Sequence, residues 1–137
     1  LWYCLHSHLD KVAKSMRNGK WVMCKHKERD TYEVPGGHRE EREDILDTTK
    51  RELQEETGAV KFDLEPLCVY SVTGKTNVNE SGEESFGLLC FAEIMEFSGK
   101  LESEIEKVEL MDELPENWTY PLIQPKLIEE YKRRKYH

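Results

Sequence analysis

The chain has 137 residues, 37% of them hydrophobic and 35% charged, with a formal net charge of −8. That length supports one hydrophobic core without staples, and no apolar run reaches the roughly 20 residues of a membrane span. The acid surplus argues against a nucleic-acid polymer as partner, because backbone phosphates demand a basic surface.

Residues 1–8 mix aromatic and polar types and favour no element. Lys11–Ser15 and Lys20–His26 alternate apolar and polar residues on either side of Arg17-Asn18-Gly19. Asn-Gly between such runs predicts a hairpin, because both residues tolerate positive φ. Thr31–Val34 predicts a short strand that stops at a tight Pro35-Gly36-Gly37 loop. Asp44–Thr57 predicts a helix, with acids in its first turn and Gly58 as its stop. Glu65–Thr73 alternates like a strand, and Gly74–Glu84 is a polar loop.

Phe86–Met95 is nearly continuous in apolar residues, the pattern of a strand buried on both faces. Ile105–Met111 predicts another strand. Pro121–Tyr136 predicts a second helix with Leu122, Ile123, Leu127, Ile128 and Tyr131 as its apolar stripe. Strands, helix, strands, helix, without repeats, predict a single α/β domain over 1–137 with a mixed sheet between two helices. Cys4, Cys24, Cys68 and Cys90 are far apart and lack zinc spacing, so reduced core thiols are expected. No leader pattern stands at the start, and the expected compartment is cytoplasmic.

The richest stretch is Gly36–Ala59, which holds eight acids and four bases. Concentrated carboxylates beside a Gly-Gly loop are donors suited to a hard cation such as Mg²⁺. A solvated helix face is the plain alternative. With Ile45 at zero, Ile45, Leu46, Thr49 and Leu53 define an apolar face centred at about 60°. Glu56 then falls about 40° from the core direction and Glu52 about 80° from it. A carboxylate at the core margin is costly unless something positive meets it. Glu52, Glu55 and Glu56 converge on one edge, while Arg51 projects at about 240°. A metal ion therefore explains the cluster better than surface salt bridging.

Gly37, Glu43, Arg51-Glu52-Leu53, Glu55-Glu56 and Gly58-Ala59 stand at the spacing of the Nudix box, over residues 37–59. The chain thereby resembles the Nudix hydrolases. Asp112-Glu113-Leu114-Pro115-Glu116-Asn117 is similar to the bacterial branch labelled nucleoside triphosphate or oxidised-nucleotide pyrophosphatases. Arg42 stands where a Gly is common, and Thr48-Thr49 where Ala is common.

The resemblance implies the α/β/α sandwich and Mg²⁺-dependent hydrolysis, with Mn²⁺ as substitute, of a nucleoside diphosphate linked to another group. It implies Gly37 (through its carbonyl), Glu52, Glu55 and Glu56 as metal ligands. It also implies Glu52 as base or water-positioner and Arg51 as the orienting cation. Glu55 is assigned to the catalytic set, and Glu43 has either a metal-shell or a structural role.

Outside the box, Lys25 and Arg29 are candidate phosphate contacts, and Gln124 a candidate base contact. Glu102 or Glu104 could supply a further carboxylate. Trp118 and Tyr120 could stack on a base, although core packing is the plainer use. His38 is the one histidine near the glycine loop, and Lys132–Lys135 suit a helix C-terminus.

The expected activity is cleavage of a nucleoside triphosphate, an oxidised purine deoxynucleotide among the candidates, to monophosphate and pyrophosphate. The alternatives are hydrolysis of ADP-ribose or another nucleoside diphosphate derivative, and a non-catalytic nucleotide-sensing module. A prenyl diphosphate isomerase on the same fold fits less well. The expected partner is a nucleotide, and the expected assembly a monomer or homodimer.

Overall fold

The computed structural model describes residues 8–15, 19–38, 42–72, 85–98 and 105–135. In chain order the elements are β1 (His8–Ser15), β2 (Trp21–His26), β3 (Gly36–His38), α1 (Ile45–Thr57), β4 (Ala59–Val72), β5 (Ser85–Phe97), β6 (Ile105–Met111) and α2 (Gln124–Lys135). The strands form one sheet in the order β4-β5-β1-β2-β6, and β3 pairs with β1. The sheet is mixed: β1 runs parallel to β5, and the remaining pairs are antiparallel. Among the described residues no helix is long and apolar enough to cross a membrane.

Side chains alternate between the two faces of a strand, and this alternation builds two cores. Val22, Ala92 and Ile94 pack with Leu53 of α1. Trp21, Met23, Leu89 and Phe91 pack with Leu127, Ile128 and Tyr131 of α2. The apolar run in β5 feeds both layers, as its sequence predicts. Gly19 has φ of 65°, the positive value the hairpin demands, and β1 and β2 pair antiparallel. Cys24 and Cys90 are buried free thiols and Cys68 is half-buried.

Helix α1 stops at Gly58 as its sequence predicts, and Asp44, expected as its first residue, caps it instead. Asp44 Oδ1 accepts from the backbone of Leu46 and Asp47, and Gly58 adopts left-handed geometry at φ 75°. The buried face differs in detail from the expected stripe. Leu46 is 42% exposed, whereas Thr48, Thr49 and Glu56 are buried with Leu53. The threonines tolerate burial because each hydroxyl donates to a carbonyl one turn earlier, Asp44 and Ile45 respectively.

Three boundaries depart from expectation. Gly36–Gly37 is not a loop: it pairs with Asp10 and Leu9 as part of β3. Thr31–Val34 makes only isolated bridges, Cys24 to Glu33 on one side and Tyr32 to Trp118 on the other. Helix α2 begins at Gln124, after a turn in which Tyr120 O accepts from Ile123 N and Gln124 N. Pro125 then lies in the first turn, where a missing N–H is harmless, and Leu122 falls outside the stripe at 69% exposure. Residues 1–7, the Gly74–Glu84 loop, Cys4, Glu102 and Glu104 lie outside the described residues.

Arg42 is the one non-glycine residue with positive φ, 66°, among those described. Left-handed geometry costs an L-residue about 1–2 kcal/mol, which gives a physical reason for Gly at that position. Arg42→Gly is expected to raise Tm by roughly 3 °C in a thermal melt. An unchanged or lower Tm would show that the Arg42 side chain compensates its backbone.

Candidate active site

Strand β3 and helix α1 meet through two carboxylates. Gly36 N donates to Glu56 Oε1 at 2.9 Å. A Cβ placed on Gly37 would stand 2.5 Å from both Cδ and Oε2 of Glu52. Only a bare Cα admits that approach. Glu56 is 8% exposed, and the Gly36 N–H supplies one of the polar partners a carboxylate needs at such burial. The inward direction expected of Glu56 is thus observed.

Arg51 collects the neighbouring acids. Its Nε and Nη2 donate to the two Glu43 oxygens at 2.8 and 2.9 Å, a bidentate pair. Its Nη1 lies 3.1 Å from Glu52 Oε1 and 3.1 Å from Glu55 Oε2. The Glu43 hydrogen bonds, followed by the charges of Glu52, Glu43 and Glu55, raise the Arg51 pKa further against the opposing effect of burial. This corrects one expectation: salt bridging by Arg51 does account for part of the acidic cluster. A long flexible guanidinium reaches beyond the direction of its own Cα–Cβ bond.

The other candidates are more dispersed. Lys25 Nζ lies 3.4 Å from His26 O. Arg29 Nη1 donates to Glu33 Oε1 at 3.5 Å and to Tyr120 Oη at 3.4 Å. The Tyr120 hydrogen bond is the main cause of its raised pKa. Gln124 is enclosed by the protein. It is 2% exposed, and its Oε1 accepts from Val34 N at 3.0 Å. That bond ties α2 to the segment leading into β3. Trp118 packs against the α2-side core, the plainer of its two expected uses. Sequence reasoning missed Glu33, which is 7% exposed and reached by both His26 and Arg29. Nothing in its spacing distinguishes it from surface acid.

A family model, the NUDIX domain, matches residues 12–130. The chain belongs to the NUDIX domain family. It is 38% identical over 104 residues to YtkD of Bacillus subtilis (strain 168), whose name is that of a candidate 8-oxo-dGTP diphosphatase. That match covers 72% of this chain and 59% of YtkD. A mutant of the Bacillus subtilis pyrophosphohydrolase BsRppH is similar in structure, with TM-score 0.75 and 26% identity. That likeness covers 95% of this chain and 83% of BsRppH. A NUDIX hydrolase from Nitrosomonas europaea shares the fold at TM-score 0.74 and 23% identity, over 95% of this chain and 90% of that one.

Nudix hydrolases act with a divalent cation, and the donors here suit one. Glu52, Glu55, Glu56 and the Gly37 carbonyl offer only oxygen, the donor type that Mg²⁺ and Mn²⁺ take. Among the described residues no three acidic, histidine or cysteine side chains converge tightly enough to enclose an ion. Two of the three Nudix carboxylates lean on Arg51 and the third on Gly36 N–H. The ligand chemistry fits; the carboxylates stand in the arrangement that Arg51 stabilises.

The Gly37–Glu52 approach can be tested apart from folding. In Gly37→Ala the atoms in the way are the movable end of Glu52. Activity is expected to fall by about 100-fold, the order expected when a reacting group is misplaced by ~1 Å, with Tm within a few degrees of wild type. Full activity in Gly37→Ala would show that the close approach has no catalytic consequence.

Proposed function

We propose that the chain is a Mg²⁺-dependent Nudix pyrophosphohydrolase that converts a nucleoside triphosphate to a monophosphate and pyrophosphate. Oxidised purine deoxynucleotides are the favoured substrates, in keeping with the name of YtkD. The observation that carries the reading is the set of carboxylates on α1 against bare glycine backbone.

In this reading Glu55, Glu56, Glu52 and the Gly37 carbonyl hold the cation. When bound, the ion offsets phosphate charge that the acidic site would otherwise repel, and makes water a better nucleophile. Glu52 takes the proton of the attacking water at a carboxylate oxygen. Arg51, bidentate on Glu43, keeps Glu52 and Glu55 from spreading apart. A new bond forms from water oxygen to phosphorus as the bridging oxygen leaves with the other phosphate group. Lys25 and Arg29 are the cations proposed to meet a further phosphate; the Arg29 side chain keeps 47% exposure beside Glu33.

EDTA should abolish turnover, and Mg²⁺ or Mn²⁺ should restore it; full activity without metal would exclude this mechanism. Glu56→Gln retains an oxygen for Gly36 N–H while removing a charge. Its kcat should fall at least ~100-fold, with metal-free Tm unchanged or raised because like charges repel. Retained activity with collapsed stability would make Glu56 a structural residue.

Hydrolysis in oxygen-18 water should place label in the monophosphate or pyrophosphate. Label in inorganic phosphate, with a nucleoside diphosphate remaining, would exclude pyrophosphohydrolysis. A kcat/KM for ADP-ribose above that for every triphosphate would replace the substrate and leave the chemistry standing.

A further inference from the structure

Two residues near one end of the β4–β5 pair have no partner across the sheet. Ala59 pairs with Phe97, Lys61 with Glu96 and Phe62 with Ile94, which leaves Val60 and Met95 as extra residues. Such bulges hold the extra residue outside the ladder and re-aim the neighbouring side chains. In a regular strand Val60, Lys61 and Phe62 would alternate between faces. Here all three border one cavity of about 430 Å³, together with Met95 and with Lys50 and Gln54 of α1. Val60 is 48% and Met95 38% exposed, while Phe62 packs against the α1-side core.

The polar groups at this cavity are not used by the protein itself. Among the described residues, the side chains of Lys50, Gln54 and Lys61 make no hydrogen bond or ion pair. The positions four residues from Lys50 hold Leu46 and Gln54, so the helix supplies no i,i+4 acid. Asp47, three residues before Lys50, does not pair with it, and neither does Glu96 with Lys61, which it faces across the strands. In a chain of net charge −8, two unpaired ammonium groups thus meet at one apolar cavity. With Ile45 at zero, Lys50 and Gln54 fall at about 140° and 180°, on the flank of α1 opposite Glu52, Glu55 and Glu56.

We propose that this cavity is a second binding site, for a small organic carboxylate with a compact apolar body. Val60, Phe62 and Met95 cover the body, and Lys50, Lys61 and the Gln54 amide meet the carboxylate. Ligand cavities of roughly 300–1,000 Å³ share this make-up, apolar walls with a few placed polar groups. Strand β4 lies at the sheet edge. The bulge at Val60 and Pro66 farther along blunt that edge, which disfavours an added strand from a peptide or a second copy.

Octanoate is the probe, and the ε-methyl NMR signal of Met95, assigned through Met95→Leu, is the readout. Octanoate should shift that signal saturably. Octanol, which lacks the charge, and inorganic phosphate, which lacks the body, should each bind at least about tenfold more weakly. Lys50→Gln combined with Lys61→Gln should weaken octanoate by about tenfold on the same ground, and Val60→Asp should abolish the shift. All three replaced side chains are exposed, so the fold should persist, which melting curves check.

A Met95 signal unmoved by octanoate would overturn the site. So would equal binding of octanol or inorganic phosphate, or an unchanged Kd in the double lysine variant. If the double variant does not fold, Lys61→Gln alone decides it. A dimer in sedimentation that Val60→Asp disperses would make the cavity a contact between copies, and overturn the small-molecule assignment. The test involves no turnover, so its outcome is separate from that of the proposed reaction.

Discussion

The contact between the bare Cα of Gly37 and the Glu52 carboxylate is the constraint on which the site depends. It lets the Glu52 carboxylate lie against the β3 backbone, within reach of Arg51 and beside Glu55. The neighbouring Gly36 N–H to Glu56 bond sets the helix in register along its length. Replacing either approach with an ordinary side-chain contact would widen the gap between glycine backbone and carboxylates.

The fold delivers that contact by pairing β3 with β1 at the opposite end from β2. Strand β1 therefore serves both the hairpin and the glycine segment, while its other edge pairs in parallel with β5. The segment between β2 and β3 is anchored on two sides. Glu33 exchanges backbone hydrogen bonds with Cys24, and Tyr32 does so with Asn117 and Thr119. Gln124 adds a side-chain bond from α2 to Val34 N. The glycine backbone is thus held by elements from both halves of the chain.

Electrostatics follow from the same geometry. The acids of α1 would repel one another if each faced water alone. Arg51 bridges Glu43, Glu52 and Glu55 on one side, and backbone N–H meets Glu56 on the other. Arg51 cannot give up its proton at ordinary pH, so the clamp keeps its charge while the carboxylates remain able to exchange partners. In the proposed reaction, that exchange would let a divalent cation take the carboxylate oxygens.

The sequence by itself determined the two helices, the Gly58 stop of α1, the hairpin, the doubly buried β5 and the inward direction of Glu56. Each depends on local periodicity, or on turn and cap residues whose preferences act within a few positions. Its motif also determined the family, because spacing along one helix is a local property. Tertiary structure alone decided that Gly36–Gly37 is a strand, since that requires β1 as partner. It likewise decided that Gln124 is spent on Val34 N, that Arg51 reaches back to Glu43, and that Glu33 is buried. It also set Tyr70 over Gly87, 17 residues apart in sequence. The periodicity of a single strand or helix carries no information about which distant backbone will lie beneath a side chain; strand pairing and packing supply it.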